Sequence, residues 1–111
     1  MNLRDQKINE AFLAVDQERD YITLVLRNLI GIDTSCPPGR NYEKVADYLE
    51  SVFKKRGYKT EKVIVPDSEV KQIPLKLEGP RVNLVAEKKY GHDPVSIYAH
   101  IDVVRSSNHG A

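Results

Sequence analysis

Apolar positions in the opening stretch of the chain recur at helical intervals. Between Lys7 and Ile30 there is no Gly or Pro, and Ile22, Val25, Leu26 and Leu29 share one face, which predicts an amphipathic helix closed by Gly31. Upstream, Ile8, Ala11, Phe12 and Val15 repeat the spacing, so the pattern fits a helix beginning near Leu3 and equally one interrupted between Asp16 and Asp20. The next segment, Asp33-Thr34-Ser35-Cys36-Pro37-Pro38-Gly39, gathers capping, turning and helix-breaking residues and predicts a loop with a constrained path. A second helix follows, its stripe formed by Val45, Ala46, Leu49, Val52 and Phe53 and its end marked by Arg56-Gly57.

Beyond Gly57 the period changes from helical to alternating. Residues 59–65 read as a strand stopped by Pro66, and residues 67–79 as an irregular excursion. Two more strands are predicted, residues 81–88 centred on Val82, Leu84 and Ala86, and residues 95–104 with the sequence VSIYAHIDVV. Tyr90-Gly91-His92-Asp93-Pro94 is a turn between them. Helix, helix, strand, strand, strand, without internal repeat or linker, predicts an α/β arrangement in which helices pack on a sheet. At 111 residues the chain has room for one such core.

Composition narrows the partners. Seventeen Lys and Arg offset sixteen Asp and Glu, for a formal charge of +1, and they are scattered, so neither nucleic acid nor an anionic membrane is favoured. The run Lys54-Lys55-Arg56 reads as a solvated helix end that complements the helix dipole. The first ten residues lack a signal-peptide core, and no apolar run is long enough to span a bilayer. Cys36 is the single cysteine, which precludes an internal disulfide and makes the cytoplasm the expected location.

The chemistry concentrates in Tyr98-Ala99-His100-Ile101-Asp102-Val103-Val104, where an ionisable pair sits among β-branched residues. Strand alternation sends His100 and Asp102 to one face near the strand's C-terminal end, where ligand sites form in α/β sheets. A neutral imidazole is a good zinc ligand, and a nearby carboxylate sets its tautomer and orientation. The same two residues also suit a structural pair in which Asp102 satisfies a half-buried His100. Zinc takes three or four protein ligands, and a catalytic site also needs an open position and a base. His92, in a turn, and His109, three residues from the end of the sequence, are poorly placed to complete such a set. Cys36, followed by two prolines, reads as a loop cysteine, and the glycines have no phosphate-cradling spacing.

From about Asp20 onward the ordered set of segments resembles the opening of the M20 metallopeptidase and amidohydrolase family, which includes the acetylornithine deacetylase, succinyl-diaminopimelate desuccinylase, aminoacylase-1 and carboxypeptidase G2 types. The resemblance runs through a helix at residues 21–30, the loop Ile32-Asp33-Thr34-Ser35-Cys36-Pro37-Pro38-Gly39, a helix at residues 42–56 and the segment Arg81-Val82-Asn83-Leu84-Val85-Ala86. It ends on Ala99-His100-Ile101-Asp102-Val103-Val104-Arg105, where the family has G-H-x-D-V-V-P. Ala99 stands for the glycine and Arg105 for the proline, and residues 106–111 do not continue the pattern.

The resemblance implies a layered zinc-hydrolase fold and a two-zinc site, with His100 a metal ligand and Asp102 the catalytic carboxylate that clamps its imidazole. It implies a hydrolase acting on an N-acyl amino acid or a peptide. The family's bridging Asp, its Glu-Glu pair and its remaining ligands lie beyond the resembling region, and this chain has no Glu-Glu pair. The expected picture is therefore an incomplete N-terminal piece: a helical extension at 1–19, part of a catalytic domain at 20–104 and a divergent tail at 105–111. Alone it is expected to be inactive, with an unpaired apolar edge around residues 97–104. Homodimerisation is implied only for a full-length parent. The alternative is a non-catalytic α/β binding module that has lost its active site.

Overall fold

The computed structural model describes residues 2–104. The divergent tail, with Arg105 and His109, lies outside them. The chain divides after Gly31 into two compact units.

The first unit is two consecutive helices, α1 (Leu3–Gln17) and α2 (Arg19–Ile30). Asn2 caps α1, its Oδ1 accepting the Asp5 N–H at 2.8 Å. The interruption falls on Glu18, whose N–H still reaches the carbonyls of Ala14 and Val15, while its own carbonyl accepts the Ile22 N–H at 2.8 Å. Both readings of the apolar pattern are therefore realised, an early start at Leu3 and a break between Asp16 and Asp20. Gly31 ends α2 as expected. No residue of either helix is buried.

The second unit is a helix on a small sheet: α3 (Tyr42–Lys55), β1 (Lys59–Ile64), a single turn α4 (Asp67–Val70) and β2 (Val82–Glu87). The end of α3 is a Schellman motif. Gly57, at φ 85°, donates to the Lys54 carbonyl, and Tyr58 donates to that of Phe53. The Phe53 and Tyr58 rings meet edge to face at 5.1 Å, supplying the apolar contact that accompanies this motif. The turn so made delivers the chain into β1.

β1 and β2 pair antiparallel, from Lys59 opposite Glu87 to Ile64 opposite Val82, and the Val65 N–H extends the ladder to the Arg81 carbonyl. Alternation places Val82, Leu84 and Ala86 on the more buried face, the three residues on which the strand was centred. α3 packs against both strands, and Val45, Ala46 and Val82 are the buried apolar core. Polar links support this packing: Thr60 donates to Glu50 at 3.0 Å, and Lys62 pairs with Asp47. The architecture is mixed α/β with a two-stranded sheet.

Two expectations are corrected. Within residues 67–79, expected to be irregular, Pro66 opens one helical turn in which Glu69 and Val70 donate to the Pro66 carbonyl and Lys71 to that of Asp67. Residues 95–104 form no strand. A strand is a paired backbone, and among the described residues no backbone hydrogen bond reaches residues 95–100, whose apolar side chains stand in solvent.

Candidate functional site

The site residues belong to the second unit and come together where the loop before α3 meets the segment after β2. The loop is built on Asp33, whose Oδ1 accepts the Ser35 N–H at 3.0 Å and the Ser35 hydroxyl at 2.6 Å. This is the Asx geometry that Asp adopts in turns. Asn41 Nδ2 donates to the Asp33 carbonyl at 2.8 Å, and Gly39 N–H to that of Ser35 at 2.7 Å. Gly39 sits at φ 65°, and a Cβ there would meet the Arg81 guanidinium and the Tyr42 hydroxyl, so both backbone conformation and space favour glycine.

Arg81 is the loop's anchor. Only 8% exposed, it donates to the carbonyls of Gly39 and Glu78, and its guanidinium carbon lies 4.2 Å from the centre of the Tyr42 ring. Its buried Nε has no hydrogen-bond partner among the described residues. Tyr42, at the start of α3, is pushed up from the ordinary 10.0 to about 12. Burial is the largest cause, followed by a hydrogen bond shared with the Cys36 thiol and the negative charge of Asp102, and the Arg81 cation opposes them. The phenol is thus kept neutral beside the carboxylate.

On this loop rests the end of the 95–104 segment. Ser35 and Val103 form a parallel bridge, in which Cys36 N–H donates to the Val103 carbonyl at 2.9 Å and Val103 N–H to that of Thr34 at 3.3 Å. The Thr34 hydroxyl, on a residue only 3% exposed, donates to the Ile101 carbonyl at 2.8 Å. His100 and Asp102 flank that residue.

The two candidate residues do meet. His100 Nδ1 lies 2.9 Å from the Asp102 backbone carbonyl and 3.3 Å from its Oδ1. Both oxygens are acceptors when the carboxylate is ionised, so the contact favours the neutral tautomer with the hydrogen on Nδ1 and the lone pair on Nε2. The contact arises from local backbone folding rather than from strand alternation. The imidazole is largely exposed, which removes the picture of a half-buried histidine satisfied within a core.

One imidazole with a carboxylate behind it fits a single corner of a zinc site. It does not fit a whole one, because among the described residues no three His, Cys, Asp or Glu side chains converge as metal donors. His92 and Cys36 belong to no such group. Among the described residues no helix is long and apolar enough to cross a membrane.

Thr34, Tyr42 and Arg81 were not foreseen as site residues. Only Arg81 carried a signal, a charge set between Pro80 and the strand centred on Val82, Leu84 and Ala86, and the signal gave no partner. No family model, curated protein or solved structure matches the chain.

Proposed function

We propose that the chain is the N-terminal portion of a cytoplasmic zinc-dependent amidohydrolase or peptidase of the M20 type, acting on an N-acyl amino acid or a peptide and inactive on its own. The observation that carries this reading is the His100–Asp102 contact: a carboxylate residue holds Nδ1 of a largely exposed ring, which leaves Nε2 as the nitrogen for a metal. That is the preparation a metal-binding histidine needs. In the proposed parent, zinc would supply a Lewis acid for the amide carbonyl and an activated water. This chain's own residues contribute the imidazole donor at His100 and its orientation by Asp102, and the layered hydrolase sheet would extend from β1 and β2.

The test is to read the coding DNA for a few hundred bases past the Ala111 codon in all forward frames. A glycine-rich segment with an Asp, followed by a Glu-Glu pair, is the expected result. Absence of both in every frame overturns the hydrolase reading in favour of a binding module without an active site.

A further inference from the structure

We infer that Thr34 is a positioning residue for the His100–Asp102 pair, acting through its buried hydroxyl on the peptide that joins Ile101 to Asp102. Threonine in a loop ordinarily turns its hydroxyl to water or to its own turn. Here the residue is only 3% exposed and its hydroxyl donates to a carbonyl 67 positions away in the sequence. That carbonyl belongs to the one residue between His100 and Asp102. Two main-chain bonds at Val103 add to it, so residues 101 and 103, on either side of Asp102, are both held against Thr34 and Cys36.

The consequence is geometric. The His100 ring reaches both the carbonyl and the carboxylate of Asp102, and that reach depends on the dihedral angles of Ile101 and Asp102. Those angles are what the grip from Thr34 to Val103 restricts. Thr34 can grip because its own loop is braced by the Asp33 turn, by Asn41 and by the Arg81 contact with Gly39. A hydrogen bond on the Ile101 carbonyl therefore favours the arrangement in which Nδ1 carries the hydrogen. The use of that arrangement in catalysis rests on the reading of His100 as a zinc ligand; the arrangement itself does not.

The experiment is two-bond ¹H–¹⁵N correlation spectroscopy of the ¹⁵N-labelled full chain at a fixed alkaline pH where imidazoles are neutral, with His100 assigned by its disappearance in His100→Gln. In the wild type His100 is expected mainly as the Nδ1–H tautomer. Thr34→Val, similar in shape but without the hydroxyl, should move the tautomer ratio about fivefold towards Nε2–H, the equivalent of one ordinary hydrogen bond. Thr34→Ser should restore it to within about twofold of wild type.

An unchanged ratio in Thr34→Val overturns the proposal, and so does an equal shift in Val and Ser, which would assign the effect to the methyl group. If Thr34→Val does not fold, as judged by circular dichroism, Thr34→Ala serves as the hydroxyl-free variant. Failure of both to fold beside a folded Ser variant makes Thr34 structural and also overturns the proposal. The DNA reading separates the two: absence of the glycine-rich Asp segment and the Glu-Glu pair in every frame overturns the metal reading and leaves the tautomer result standing.

Discussion

Residues 82–87 and residues 95–104 are built from the same kinds of side chain and end in opposite situations. β2 has a second backbone beside it and a helix over it, so Val82 is 4% exposed and its ladder extends to Val65. Among the described residues the later segment is held at its far end alone, by the bonds of Ile101 and Val103 to the loop at Thr34 to Cys36, and Ile97 is 92% exposed. A β-branched alternation provides a face. The face becomes a strand only when a neighbouring ladder and a covering layer are both present.

The same substitution in both regions gives the widest separation. Val82→Asp places a carboxylate under α3 and should lower unfolding free energy by about 3 kcal/mol or more, whereas Ile97→Asp should change it by no more than about 0.5 kcal/mol, both read from urea melts. Similar losses at the two positions would break the comparison. Arg81→Ala comes next: two carbonyls lose their donor, and about 2 kcal/mol should go with them. An unaltered melt would mean that the guanidinium is not the anchor of the loop.

Hydrogen exchange sharpens the contrast within a single segment. The amides of Val65, Cys36 and Val103 are bonded and should be protected, while those of Ile97 and Tyr98 should exchange at the rate of an unstructured chain. Protection at Ile97 would reveal a pairing that the structure does not contain.

The smallest effect is on alkaline stability, through Tyr42. Its folded-state value of about 12 exceeds the ordinary 10.0 expected when unfolded. Between those limits the unfolded chain has already lost the phenolic proton and the folded one has not, so the contribution is full below pH 10 and declines as pH rises towards 12. Tyr58 is also raised, by its hydrogen bond with Tyr90, so phenolate absorbance should show a late titration that loses one component in Tyr42→Phe; an undiminished late step in that variant would assign it to another ring.

Where local rules decide the structure, it was legible beforehand. The glycines at 31 and 57 close α2 and α3, Pro66 stops the first strand, and Val82, Leu84 and Ala86 turn to the more buried face because these choices depend on near neighbours. Glu18 marks the limit of such reading, since two apolar stripes of equal spacing do not reveal a break between them. Residues 95–104 fail for a different reason: alternation describes one chain and pairing needs two. Within the site, His100 and Asp102 were legible as a pair because they are two residues apart. Thr34, Tyr42 and Arg81 were not, since each acquires its role from a partner at another place in the fold. Thr34 in particular reads as an ordinary turn residue.

The bond from Thr34 to Ile101 also constrains order in time. A chain made from its N-terminus presents α3, β1 and β2 to one another before Val103 exists, so the grip on Ile101 is closed onto a scaffold already able to form. Closing a span of 67 residues in a flexible chain carries an entropic cost that grows with the logarithm of its length. Earlier pairing of the intervening elements shortens the effective loop. The imidazole and its carboxylate are therefore brought into register late, by a loop whose own bracing at Asp33 and Asn41 was available much sooner.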